Sequence, residues 1–292
     1  MYPNDFAYRA PTSLVEALRL LREGQSGGEV KILAGGQSLV PLIKLRLAEP
    51  ATLIDLSKIA ELRGVREDSQ GLLIGAMTTY FQTIDDPTVQ RRCPLLVQTI
   101  RQVGDPQVRA RGTIGGSLAH ADPAGDLPAA AMALNAEVRA TGPSGQRIIP
   151  IASFITDTLT TSLQPDEIVT AVSFQATDTP NTGVAYVKHR HPASGYAVVG
   201  VAAVIRLGAD GACQEARIGL TGATSRATRA SSVEQALTGK PLDANTIAQA
   251  CQSIVDGLDM MSDSYASAEY RAHLARIIAR RAIEQALASM KG

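Results

Sequence analysis

The 292-residue chain has no tryptophan, and its aromatic content is only 4%. That leaves too few rings for the stacking platforms on which single-stranded nucleic acids lie. Its three cysteines, Cys93, Cys213 and Cys251, lie far apart with no C-x-x-C. Such spacing argues against a disulfide framework and against a metal or iron–sulfur site built from this chain. Neither sign of charge is in excess, with 28 Lys plus Arg against 28 Asp plus Glu, so no net field draws the chain to nucleic acid or an anionic membrane. No apolar run approaches the roughly 18 residues of a membrane span. The start, Met1-Tyr2-Pro3-Asn4-Asp5, lacks the basic segment and apolar stretch of a secretion signal. The expected compartment is the cytoplasm.

What is present is 45% hydrophobic residues, enough over this length for two domains, each with its own core. Ser13 with Glu16 three residues on is a capping box, and Leu14, Leu18 and Leu21 carry the helix to a stop at Gly24. Residues 30–34 read as a short apolar strand running straight into Gly35-Gly36, after which 39–47 is partly helical. Strand, glycine turn, then helix is the layout of a phosphate site. A strand at 52–56 follows, then a hairpin of 62–66 with 71–75 across Glu67-Asp68-Ser69-Gln70. Helical patterns at 79–84 and 94–103 precede a second glycine turn, expected to sit between two extended stretches in a loop-rich region. Segments 136–140 and 147–151 form another hairpin, and 167–174 is a strand.

The stretch 175–182 is polar and broken by proline, the composition of a linker, which places a domain boundary near residue 178. Beyond it, 183–189, 196–207 and 212–220 predict a three-stranded antiparallel sheet. Helices at 233–237 and 244–255, and a long one from about Ser267 carrying Leu274, Ile277, Ile278 and Leu287, complete the chain. The fold class is therefore α+β.

Two glycine turns are the features that suggest chemistry: Ala34-Gly35-Gly36-Gln37-Ser38 and Thr113-Ile114-Gly115-Gly116-Ser117. Glycine accepts positive φ and, having no Cβ, lets backbone N–H groups close around an anion. Each such bond to a charged oxygen is worth roughly 1.5–3 kcal/mol, so a few of them hold a pyrophosphate without a neighbouring arginine. One Gly-Gly pair more often just turns the chain; two alike, each beside a small hydroxyl, point to phosphate. Neither matches G-x-G-x-x-G or G-x-x-x-x-G-K-[ST], so the Rossmann fingerprint and the P-loop are absent. His189 and His191 form an H-x-H pair, but no third ligand is recognisable nearby, and they read as a positively charged loop rim.

Three segments together resemble a known family. They are Lys31-Ile32-Leu33-Ala34-Gly35-Gly36-Gln37-Ser38-Leu39, then Ile74-Gly75-Ala76-Met77-Thr78-Thr79, and Arg111-Gly112-Thr113-Ile114-Gly115-Gly116-Ser117 leading into Ala121-Asp122-Pro123-Ala124-Gly125-Asp126. The family comprises the FAD-binding medium subunits of molybdenum hydroxylases such as xanthine dehydrogenase and carbon monoxide dehydrogenase. The resemblance spans nearly the whole chain. It implies a vanillyl-alcohol-oxidase-like (PCMH-type) fold, with FAD stretched between two subdomains (about 1–57 and 58–177) and a C-terminal domain at 178–292. Both glycine turns would face the pyrophosphate, and Asp126 would lie near the adenosine ribose. Lys188 and Tyr196 would lie at the isoalloxazine, where a cation favours negative charge on the ring. Where the family often reads Gly-Asp-Tyr, this chain has Ser194-Gly195-Tyr196; and Gln37 replaces the histidine common in carbon-monoxide-oxidising members, which favours an organic substrate.

By the same resemblance the chain would be an electron-transfer subunit. It would take electrons from a small [2Fe-2S] subunit, with two clusters, and a large subunit carrying the molybdenum cofactor, in a dimer of heterotrimers. The alternatives are a subunit of carbon monoxide dehydrogenase, and a stand-alone flavin oxidase, for which the C-terminal part shows no cluster of ionisable groups suited to proton abstraction. A scaffold that has lost its flavin is a further alternative, opposed by the retained motifs.

Overall fold

The computed structural model describes residues 3–68 and 71–290. The first helix starts as its capping signature predicts: Ser13 Oγ accepts the Glu16 N–H at 3.2 Å, while the Glu16 carboxylate reaches back to the Thr12 N–H at 3.1 Å. This helix, α1 (Leu14–Gly24), buries Ala17 and Leu21. Around it, β1 (Ala7–Arg9), β2 (Val30–Leu33) and β3 (Thr52–Asp55) pair in parallel in the order β1-β3-β2. At three residues, β1 is too short to show a period, and only its pairing with β3 makes it a strand. A short helix, α2 (Leu39–Lys44), leaves the end of the first glycine turn.

A hairpin of β4 (Val65–Glu67) and β5 (Gly71–Gly75) follows, with Ser69 and Gln70 of its turn outside the described residues. Between β5 and the next strand lie α3 (Tyr80–Asp85), α4 (Pro87–Arg92), α5 (Pro94–Arg101), α6 (Pro106–Arg111), α7 (Ile114–His120) and α8 (Asp126–Ala133). Three of these begin on proline, whose fixed φ suits a first helical position that needs no N–H partner. Asp86 and Asp105 cap two of them with side-chain oxygens.

The second glycine turn corrects the sequence expectation: it is the opening turn of α7 rather than a loop between extended stretches. Thr113 is its N-cap, with Oγ1 accepting the Gly116 N–H at 3.1 Å. Two adjacent glycines cost a helix interior about 1 kcal/mol each, and the cap, with burial of Ile114 and Leu118, offsets this.

Next come β6 (Glu137–Gly142), β7 (Gly145–Pro150), α9 (Ile151–Phe154), β8 (Ile155–Asp157), β9 (Thr160–Thr161) and β10 (Ile168–Gln175). A five-stranded antiparallel sheet has the order β4-β5-β10-β6-β7, and β8 pairs with β9 alone. The C-terminal sheet contains β11 (Thr182–Arg190), β12 (Ala197–Leu207) and β13 (Cys213–Thr221), antiparallel as expected, and a two-residue fourth strand, β14 (Thr228–Arg229), at its edge. Helices α10 (Ser231–Leu237), α11 (Ala244–Ala250) and α12 (Ala268–Ser289) follow, the last capped by Ser267.

Every residue of α8 is buried, Asp126 included, and the helix rests on β12 and β13. Strand β12 is buried from Ala197 to Ile205, because α8 covers one face of its sheet and α12 the other. One core cluster accordingly joins Leu72, Ile74, Phe154 and Phe174 to Tyr186, Ala202 and Val204, crossing the boundary expected near residue 178. A second cluster packs Val199, Val201 and Ile205 against Ile278 and Ile283 of α12. Full burial of each such side chain stabilises the fold by about 1.5–3 kcal/mol. Among the described residues, no helix is long and apolar enough to cross a membrane.

Candidate functional site

The first glycine turn leaves β2 at Ala34. Gly36 has φ +78°, a conformation open to glycine, and Gly35 approaches the 111–112 backbone so closely that an added Cβ would overlap the Arg111 carbonyl. From Gly35 through Gln37 to Leu39, five consecutive backbone N–H groups find no acceptor among the described residues. Ser38 occupies the N-cap position of α2, yet its hydroxyl makes no capping bond. The turn therefore holds a row of unspent donors, which is what an anionic oxygen requires. Lys31, upstream on β2, pairs with Glu29 at 2.8 Å, and Leu39 is the first residue of α2.

The second turn is built differently. Its seat is the 74–79 segment at the end of β5: Ala76 O accepts the Gly115 N–H at 2.9 Å and Thr78 O the Ile114 N–H at 3.1 Å. The Ser117 N–H donates to Thr113 O at 3.0 Å, so the amides from Ile114 to Ser117 are all paired. A Cβ on Gly116 would lie 3.1 Å from Ala34 Cβ and 2.7 Å from Thr113 Oγ1. The two turns, far apart in sequence, thus pack against each other, Gly35 on Arg111 and Gly116 on Ala34.

The segment 121–126 then carries the chain to Asp126. Asp122 Oδ1 accepts the Ala124 N–H at 2.8 Å, and Pro123 O accepts the Gly222 N–H at 2.7 Å, tying this segment to the end of β13. Asp126 is 7% exposed. Its carboxylate accepts from Tyr186 Oη at 2.5 Å and from Lys188 Nζ at 2.8 Å. Lys188 also donates to the Gln102 and Gly195 carbonyls, each at 2.8 Å, so its three N–H groups are all used. Burial pushes the Asp126 carboxyl above its ordinary value, opposed by the charge of Lys188. Burial and Asp126 likewise push the Tyr186 phenol upward.

Asp126 and Lys188, which the resemblance puts near the ribose and near the ring, are brought together in one ion pair. Tyr196, 46% exposed, stands beside this pair: burial, then Asp122 and Asp126, raise its phenol pKa. Tyr80, buried, links the second turn to the same cluster: burial raises its phenol pKa, as do the charges of Asp126 and Tyr196. Tyr80 and Tyr186 are missing from the sequence-based residue set. For Tyr186 the signal was available, as it shares a strand face with Lys188 two residues on.

Unspent donors on one glycine turn, held against a second turn in an α+β chain without the Rossmann spacing, fit a protein that binds an anionic group in a non-Rossmann way. Comparison with known proteins narrows that class to one family. Residues 4–174 match the FAD binding domain in molybdopterin dehydrogenase, and residues 184–286 match the CO dehydrogenase flavoprotein C-terminal domain. The chain belongs to the FAD-binding medium subunits of the molybdenum hydroxylase family, and is thus a flavoprotein component of an oxidoreductase. It is 38% identical to the carbon monoxide dehydrogenase medium chain of Hydrogenophaga pseudoflava, with 99% of each chain covered. With the 6-hydroxypseudooxynicotine dehydrogenase complex subunit alpha of Paenarthrobacter nicotinovorans it shares 36% identity over 98% of this chain and 96% of the other. Among solved structures, quinoline 2-oxidoreductase from Pseudomonas putida 86 superposes with a TM-score of 0.93 at 33% identity, covering 100% of both chains.

Proposed function

We propose that this chain is the electron-transfer subunit of a molybdenum hydroxylase complex. It receives electrons from a small subunit with two [2Fe-2S] clusters, fed by a large subunit with the molybdenum cofactor, and passes them to an external acceptor. FAD, when bound, supplies the redox chemistry. The chain's residues bind and orient it: the 35–39 amides and the Ser38 hydroxyl hold the pyrophosphate, with Ala34 and the Thr113–Ser117 turn backing them. Lys188 and Tyr196 flank the ring. Asp126 acts through Lys188, fixing the ammonium by its ion pair, rather than at the ribose.

The observation that carries this reading is the row of amides without an acceptor among the described residues, together with a cluster in which Asp126, Tyr186 and Lys188 are already paired. Asp126, Tyr186 and Lys188 spend their hydrogen bonds on one another and on backbone, leaving no evident base for substrate chemistry. A relay needs none. The division into an FAD-binding part, 1–177, and a C-terminal part, 178–292, is supported by the family matches on either side of it. We assign the complex to the cytoplasm, as a dimer of heterotrimers.

The substrate class proposed for the complex is an N-heterocycle or similar small organic molecule. It is supported by Gln37 and by the likeness to quinoline 2-oxidoreductase and to the nicotine 6-hydroxylase medium subunit. Carbon monoxide is the second reading, favoured by the 38% identity to a carbon monoxide dehydrogenase medium chain. Purification of the native, untagged protein tests the assembly: flavin absorbance with stoichiometric iron and molybdenum is expected, and flavin that never brings down either metal refutes the reading. Assaying the purified complex with carbon monoxide and with quinoline-type heterocycles separates the two substrates.

A further inference from the structure

One side chain holds the reversal between β11 and β12 in shape. His191 donates its N–H to Tyr196 O at 2.8 Å, and the Gly195 N–H returns to His191 O at 2.9 Å. Within that ring, Nδ1 of His191 accepts two backbone N–H groups, from Ala193 at 3.2 Å and Ser194 at 3.3 Å. Its imidazole packs on Tyr265 with ring centroids 4.2 Å apart. Gly195, in the left-handed region at φ +73°, presents its carbonyl to Lys188 Nζ at 2.8 Å, and Tyr196 follows directly. The histidine thus reaches both candidate flavin contacts through the loop it caps.

We infer that His191 is a positioning residue whose Nδ1 lone pair latches the 191–196 loop, setting the Gly195 carbonyl on Lys188 and the Tyr196 ring at the FAD site. The inference rests on the reading of Lys188 and Tyr196 as flavin contacts. It gives His191 a role beyond that of a loop rim, because the nitrogen facing two N–H donors accepts from both. The titratable and charged groups around the ring are Tyr265, tilted at 60° to it, and Asp263, which accepts the Tyr265 and Ala266 N–H groups at 2.9 Å each. Arg271, paired with Asp263, lies beyond, while Arg190 and His189, the latter edge-on to Tyr270, end the strand.

The test measures FAD release from the full-length chain by flavin fluorescence, with thermal melting and circular dichroism as the folding control. His191→Asn keeps an acceptor near the Nδ1 position but does not titrate; His191→Phe keeps the ring on Tyr265 without an acceptor. At neutral pH, His191→Phe is expected to bind FAD about tenfold more weakly and His191→Asn close to wild type. Wild-type affinity in His191→Phe, or a loss in His191→Asn as large as that in His191→Phe, overturns the latch. Tyr196→Ala serves as the companion variant. If it leaves FAD binding unchanged, the flavin-contact reading fails and the latch with it; if it weakens binding while His191→Phe does not, the latch alone fails.

Discussion

The two ends of the site are in opposite states. At the first glycine turn five amides find no acceptor among the described residues, whereas at Lys188 every N–H is already committed to protein oxygens. Unpaired donors cost a protein free energy unless water or a ligand serves them. The first end is therefore a receptor waiting for an anion, and the second is a rigid fixture that offers its charge through space rather than through a vacant bond. On the function proposed above, one end would supply affinity and the other would set the electrostatic surroundings of the ring.

Gly35→Ala breaks the receptor end. The added methyl overlaps the Arg111 carbonyl, the turns must separate, and losing two amide bonds to phosphate amounts to about 3 kcal/mol or more. FAD affinity is expected to fall at least about a hundredfold, read as the flavin-to-protein ratio after purification. Lys188→Met breaks the fixture instead: Asp126 is left buried without its partner, and urea unfolding should show a loss of about 3–5 kcal/mol. Adding Asp126→Asn to that variant should restore part of it. If Lys188→Met unfolds like wild type, the contrast between the two ends collapses.

A smaller effect concerns pH. Burial holds Asp126 above its ordinary value of 3.8, and Lys188 opposes the shift. In the window between 3.8 and the folded value, the folded state keeps a proton that the unfolded chain has released, so this residue's contribution to stability declines as pH rises. Removing Lys188 widens the window. The decline should therefore be steeper in Lys188→Met than in wild type, and absent when Asp126→Asn is combined with it, as measured by unfolding across that range.

Smallest of all is Thr113→Ala, which removes the cap of α7 at about 1 kcal/mol while leaving the amides of the first turn in place. Its melting temperature should drop with flavin content kept. Loss of flavin equal to that of Gly35→Ala would mean that the second turn is no mere buttress.

Much of this architecture was legible in the sequence. The capping box at Ser13, the apolar spacing of the last helix and the β-like pattern of residues 196–207 each name an element by local chemistry alone. The glycine turns were legible as two like turns, but the inequality of their amides was not. That difference lies in whether Ala76 and Thr78 carbonyls reach the second turn, a long-range contact that no local pattern encodes. The misreading of 114–120 as loop has the same root: glycine's poor helix propensity masked the Thr113 cap and the Ile114–Leu118 spacing. FAD itself entered through family likeness, since backbone amides specify an anion and nothing finer. Pairing of Asp126 with Lys188 was hidden because it joins α8 to β11, whereas the two side chains look independent along the chain.

The core that runs from β5 and β10 across α8 into β12 has a practical consequence for dissecting this molecule. A protease that nicks the polar stretch around Thr177–Thr182 would sever the backbone without dividing the interior. The two pieces should stay together through gel filtration until denaturant is added. Either piece expressed alone would present an uncovered apolar face and aggregate, whereas co-expression should rebuild one particle from two polypeptides.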